Sequence, residues 1–374
     1  MGEETEVATT HLHHVFDYTD VDRAFWQEHL EGWLPRRILD AHAHICDPAL
    51  RLDEPTEEMR RSYWVCEVSE PQSAESLARC YETVFPGRET SLLCFGHPEL
   101  SYDMERSNAY VSRQCVARGW HGLAVCRPQW TAKEAERVLD MPGIIGFKPY
   151  YAMIGKSEAT RDGFIESSIF DFLPRHQLEV LNARGAWVTL HVPRADRLGH
   201  PENIREIKEI RRRYPDIVLA IAHLGRSYTE PHAREAIPQL TEDKGLYWDN
   251  CAVLNPAVHR IAFETIGPDN ILYGTDNPVF YMRGRRQWRD RTYINRTSYP
   301  FHFNKEREAP EIEAKYTLYM YEALKAIKDV SAELGLSRKQ IEGIFHNNAQ
   351  GLIERVSGRK VKEGPYAAER APGD

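Results

Sequence analysis

In ILDAHAHICDP, residues 38–48, two histidines, His42 and His44, stand two residues apart where a short apolar run stops. Residues i and i+2 of a strand face the same way. The two imidazoles therefore project together, and two neutral imidazoles beside one point make half of a metal site. Three more apolar runs end on residues of the same chemistry: TLHVP places His191, IAHLG places His223 and LYGTDNP places Asp276. Nitrogen and carboxylate donors of this kind suit zinc, and also manganese or iron. A lone histidine at a strand end is more often a hydrogen-bonded residue than a ligand. Five donors at the ends of four runs favour the joint reading, a divalent metal site. His97, after the run SLLCFG, is placed to reach the same pocket. His11, His13 and His14 of HLHH lie in a polar segment ahead of it and read as incidental.

Eight β-rich runs must position these donors: 38–44, 91–96, 122–127, 144–149, 186–192, 217–223, 245–250 and 270–276. Most are continuously apolar, the pattern of parallel strands buried on both faces. Helix-like segments lie between them. TAKEAERVLD (131–140) opens on Thr131 as an N-cap. PENIREIKEIRRRYP (201–215) spaces Ile204, Ile207 and Ile210 on one face, and FLPRHQLEVLNARG (172–185) ends on glycine. The prediction is an α/β fold, a (β/α)8 barrel. A doubly wound open sheet would show a glycine-rich phosphate turn after an early strand, and none is present. In a barrel the C-terminal ends of all strands converge, which would gather donors dispersed from residue 42 to residue 276. Two long segments, 45–90 after the first run and 277–310 after the eighth, read as insertions over the barrel mouth. The expected organisation is an N-terminal extension packing on the barrel (1–35), a single metal-dependent barrel domain (36–357) and a C-terminal tail (358–374).

Composition narrows the partners. The chain has 374 residues, 42% hydrophobic and 28% charged, with a net charge of −8 and no dense basic stripe. Nucleic acid is a poor partner for such a surface. The longest apolar runs fall short of a membrane span, and the acidic N-terminus has no apolar core of the secretory type. Seven cysteines, an odd number with no CxxC pair, point away from a disulfide framework or a cysteine zinc site. These features together predict a reducing, cytoplasmic setting without membrane contact.

The set HAH, TLHVP, IAHLG and LYGTDNP, in this order, resembles the amidohydrolase superfamily. The nearest branch is the amidohydrolase-related group that includes aminocarboxymuconate-semialdehyde decarboxylase and several lactonases. IFHNNAQGLI, with Asn348 and Ala349, is similar to that branch's closing helix, and the resemblance spans residues 36 to 355. It implies His42, His44 and His191 as ligands, and Asp276 as ligand through one oxygen and proton acceptor through the other. His223 would activate the bound water or stabilise an oxyanion. A divalent metal can bring its water's pKa to about 7, and an adjacent carboxylate and imidazole can move the proton. Lys148, in GFKPYY, stands where binuclear members carry a carboxylated lysine. The preferred branch implies one ion, zinc before manganese or iron, with Lys148 free for a substrate carboxylate. A homo-oligomer, a dimer, is a further implication of the family.

The mouth reads as cationic. Arg127 and Lys148 follow the third and fourth runs, and Arg283, Arg285, Arg286, Arg289 and Arg291 follow the eighth. Guanidinium forks pair with carboxylates at two points, so a small anionic substrate is expected. Arg127, Lys148, His97, Tyr150 and Arg283 are its candidate contacts. The competing reading makes RGRRQWRDR a solvated or subunit-contacting loop. Tyr150, Tyr151, Trp130, Tyr281 and Trp288 could wall the pocket or simply pack under the loops. The leading function is a metal-dependent hydrolase of a lactone, amide or similar bond. A decarboxylase or hydratase on the same site is the alternative, followed by a non-catalytic metal-binding barrel; a sugar-acid isomerase carries least weight.

Overall fold

Each of the eight runs forms a strand. The computed structural model describes residues 9–155 and 164–363. A hairpin of β1 (Thr10–His13) and β2 (Phe16–Tyr18) precedes the main sheet. The main sheet holds β3 (Arg37–His44), β4 (Glu89–Phe95), β5 (His121–Val125) and β6 (Ile144–Lys148). It continues with β7 (Trp187–Leu190), β8 (Val218–Ile221), β9 (Leu246–Asp249) and β10 (Ile271–Leu272). All neighbours are parallel and follow chain order. The ends meet: Ala43 pairs with Asn277, and backbone amides of Ala41 and His44 donate to the carbonyls of Tyr273 and Asn277 at 2.8 and 2.9 Å. The sheet therefore closes, and the fold is a (β/α)8 barrel.

Crossover helices follow the expected capping chemistry. Ala132–Leu139 opens on a reciprocal cap between Thr131 and Glu134. Pro201–Arg213 buries Ile204, Ile207 and Ile210. Arg175–Ala183 is followed by Gly185 at φ 56°. The last helix, Asn348–Glu363, closes the floor. Asn348 Nδ2 donates to the carbonyls of Pro268 and Ile271, both at 2.9 Å. Ala349, Leu352 and Ile353 pack against interior residues such as Leu39, Trp187 and Leu272. Residues 358–363 of the expected tail continue this helix, and the rest of it lies outside the described residues. The seven cysteines are free and buried. No helix among the described residues is long and apolar enough to cross a membrane.

The segment after β10 differs from the expected loop. Its arginine-rich stretch is a hairpin, β11 (Gly284–Arg289) and β12 (Thr292–Thr297). Arg283, expected at the substrate, instead anchors the base of this hairpin. Its Nη1 donates to Asp22 Oδ1 at 2.9 Å and to the Tyr316 carbonyl at 2.7 Å. Its Nη2 donates to the Asp17 carbonyl at 2.8 Å and to Asp22 Oδ2. Asp22 is completely buried, so the pair ties residues ahead of the barrel to those after it. Removing one partner strands the other charge in a dry environment, which costs about 3–5 kcal/mol. Arg283→Met should lose about that much unfolding free energy in urea, and Asp22→Leu/Arg283→Met should recover part of it. Equal stability of Arg283→Met and the native protein would refute the anchor.

Candidate metal centre

The side chains of His42 and His44 reach the barrel interior through a β-bulge. Pairing between β3 and β4 shifts register between Asp40 and Ala43. Before the shift Leu39 and Ala41 belong to the interior cluster; after it Ala43 belongs to the outer one. His42 and His44 share a face, as alternation requires, but Asp40 is turned the other way. A bulge beside a site commonly re-aims side chains in this manner.

Each imidazole is held by one nitrogen. His42 Nδ1 pairs with Asp249 Oδ2 at 2.9 Å, and His44 Nδ1 with the Gly96 carbonyl at 3.2 Å. The Nε2 atoms are left to converge on Asp276 Oδ1, at 3.5 Å from His42 and 3.3 Å from His44. These three residues form a group whose ligand atoms lie within 4.8 Å of one another. Burial, together with nearby Lys148, pushes His42 down to about 3, so it is a neutral donor. Burial alone would raise Asp276, yet His223, His44 and His42 hold it below the usual carboxylate range. Two imidazole nitrogens facing an ionised oxygen, with fixed second nitrogens, fit a divalent cation.

Asp249 was read only as the end of a strand, in GLYWDN, and it is the residue the sequence analysis missed. Besides His42, its carboxylate accepts from the His223 amide at 2.7 Å and from Cys251 Sγ at 2.9 Å. His42, His223, Asp249 and Cys251 form a second group at ligand distance. Asp249 already receives three donors there, which makes it a support for the histidines rather than an open ligand. His223 Nδ1 lies 3.3 Å from the Cys251 carbonyl and 3.0 Å from its sulfur, leaving Nε2 for chemistry. Burial lowers His223, against the pull of Asp276 and Asp249.

The centre opens into a cavity of about 310 Å³. Lys148 sits at its base, 1% exposed, with Nζ 3.3 Å from His42 Nε2. Burial lowers its basicity, opposed by Asp249, Cys251 and Asp276. His191 lines the wall, its ring edge-on to Tyr150 at 4.6 Å and 5.3 Å from that of His223. Among the described residues it stands outside the two ligand-distance groups. His97 stacks on His44 at 5.3 Å, and Tyr150 and Tyr151 line the cavity. Arg127 does not: it lines a separate groove with Tyr102 and Trp130, because β5 ends at Val125 and the chain turns outward. Trp130, Tyr281 and Trp288 are also absent from the cavity lining, whereas Arg226 and Arg286 belong to it.

The mouth is bought with unusual backbone. His223 and Asp276 have φ of 56° and 64°, a region that residues with a Cβ rarely occupy outside functional sites. Gly274 permits the approach of the last strand, since a Cβ there would lie 2.8 Å from that of His42 and 3.0 Å from that of Cys251.

The chain matches the amidohydrolase family model over residues 39–354. It belongs to the amidohydrolase family and is an enzyme of that class. No curated protein sequence matches it significantly. Among solved structures it is similar to an amidohydrolase from Burkholderia multivorans with bound zinc, at TM-score 0.53 and 12% identity, over 86% of this chain and 99% of that one. A 5-carboxyvanillate decarboxylase from Sphingomonas paucimobilis gives TM-score 0.51 and 15% identity, over 86% and 99%. A probable 2-pyrone-4,6-dicarboxylic acid hydrolase from Acinetobacter baumannii with citric acid bound gives TM-score 0.52 and 14% identity, over 84% and 98%. At such identities the likeness is one of fold.

Asp249→Asn should weaken divalent-metal affinity about 10–100-fold while the fold is kept, because the amide no longer fixes the His42 tautomer. Competition with a chromogenic chelator measures this, with circular dichroism as the folding control. Unchanged affinity would remove Asp249 from the centre.

Proposed function

We propose that the protein is a metal-dependent hydrolase of a small anionic molecule, acting at a lactone, amide or similar bond. The convergence of His42 Nε2, His44 Nε2 and Asp276 Oδ1 carries this reading. These three residues would hold one divalent ion, zinc before manganese or iron, with His191 as the further ligand from the facing wall. When bound, such an ion supplies an acidified water and a Lewis acid for the scissile carbonyl. The ionised Asp276 keeps its second oxygen for accepting a proton. His223, steadied through Nδ1, offers Nε2 to accept a proton from the attacking water and, once protonated, to donate to a developing oxyanion or a leaving group. Lys148 is placed to meet a substrate carboxylate, and Tyr150 to cover the substrate from the His191 side.

Decarboxylation or hydration of a small carboxylic acid is the second reading. The buried amine of Lys148 beside His42 favours keeping it, because it offers a counter-charge to a carboxylate next to the centre. Asp276 or His223 would then take a proton from water and pass it to the carbon that the departing carboxylate leaves.

Metal content by mass spectrometry, on protein purified without an affinity tag or chelator, should give close to one equivalent, and His42→Ala close to none. Two equivalents would assign Lys148 to a bridging role. No metal, and none taken up on addition, would leave a non-catalytic barrel. On the metal-loaded enzyme, a panel of lactones and aromatic acids assayed for ring opening and carbon dioxide release separates the two reactions.

A further inference from the structure

The hairpin arginines fall into two sets. Arg285, Arg289 and Arg291 point outward and pair with Glu308, Glu306 and Glu235. Arg286 turns into the cavity and is 6% exposed. Its Nη1 donates to the Ala252 carbonyl and its Nε to Asn295 Oδ1, both at 2.9 Å. The guanidinium lies 4.2 Å from the centre of the Tyr293 ring. Arg226 lines the same cavity, with Nη1 bonded to the carbonyls of Val192 and Arg194 at 3.2 and 2.8 Å. Among the described residues neither arginine has a carboxylate partner. Carbonyl and ring contacts orient the buried Arg286, and carbonyls orient the half-buried Arg226, without neutralising either charge, and holding a cation out of water without a counter-charge is costly.

Their position relates to the chemistry. The rings of Tyr228 and Tyr293 meet edge-on at 5.6 Å, Arg286 lies 5.6 Å from the Tyr228 ring, and that ring lies 6.3 Å from His223. The Tyr228 ring thus lies near both Arg286 and His223. Residues 223–226 form a single left-handed turn, with φ of 56°, 47°, 71° and 63°. That turn presents His223 at one end and Arg226 at the other. A Cβ on Gly225 would meet Leu198 at 2.7 Å, so the turn is sterically defined.

We propose that Arg286 and Arg226, walled by Tyr228 and Tyr293, form an oxyanion subsite remote from the metal donors. The substrate would then carry a carboxylate or phosphate at the end away from the bond that reacts. This rests on the reading of the cavity as an active site, but the subsite itself needs no metal.

Calorimetric titration of metal-free full-length protein with benzoate, phenyl phosphate and neutral benzamide tests it. Both anions should bind, the tighter one identifying the preferred oxyanion. Arg286→Met and Arg226→Met should each weaken them about tenfold or more, with Arg286→Lys keeping part of the affinity and benzamide unaffected. Anions that fail to bind the native protein, or bind Arg286→Met equally well, would overturn the subsite. If the methionine variants unfold, protection of Arg286 from phenylglyoxal by the anion in the native protein decides, and no protection counts against it. A protein that binds these anions through Arg286 yet takes up no metal keeps this subsite and loses the hydrolase reading.

Discussion

The barrel has to close between its first and last strands, and the carboxylate of Asp40 is where it does so. Asp40 is fully buried, which pushes its pKa up to about 6 against the hydrogen bonds it accepts. Four donors reach it: the amides of His42 and Thr275 at 2.9 and 3.1 Å, Thr275 Oγ1 at 2.6 Å and Tyr81 Oη at 2.5 Å. One side chain thus joins β3, the chain after β10 and the helix Ala74–Val84. Leaving such a group unsatisfied would cost far more than any one bond returns, so the seam is strongly specified. Its specification is also that of the site, since His42 is two residues beyond Asp40 and Asp276 is one beyond Thr275. The Asp276 amide then donates to the His42 carbonyl at 2.8 Å, so donors far apart in sequence meet as neighbours across one seam.

A second layer sets the direction of each donor. Asp249, the Gly96 carbonyl and Cys251 take one nitrogen each from His42, His44 and His223. A ring held at one nitrogen has its other nitrogen aimed before any ligand arrives, which is the condition for tight and selective coordination. The left-handed residues at the mouth, of order 1–3 kcal/mol each, follow the ends of strands whose interior and exterior faces are both packed. Rigid packing below is what lets strained backbone persist above.

Much of this was legible because strand ends in a barrel share one destination. Eight apolar runs gave eight strands, and the residues closing runs one, five, six and eight line one cavity. What failed to show was direction. Arg283 and Arg286 are three residues apart on a stretch read as loop, yet one is buried against Asp22, distant in sequence, and the other faces the cavity. The hairpin's alternation, with Arg286 inward between outward Arg285 and Gln287, is what separates the two. Asp249 stands one residue before the end of run seven as Asp276 closes run eight, but no neighbouring histidine marked it. The β3 bulge was invisible too: a register shift depends on the partner strand, and HAH looks the same with or without it.

The division of labour between strands and hairpin explains why the family was readable and the substrate was not. His42, His44, Asp249 and the seam residues belong to strands or their immediate ends, where closure of the barrel dictates geometry. Arg286 and Tyr293 stand on a hairpin that the barrel does not require, fastened by Arg283 to the segment ahead of β3. Loops of this kind carry specificity because they can change without disturbing the core beneath. The chain is acidic overall, at −8, yet it sets Lys148, Arg226 and Arg286 around one cavity. Charges gathered in a concave, low-dielectric site set the local field whatever the net charge. An anion entering there is oriented by the hairpin and the left-handed turn before it reaches the histidines.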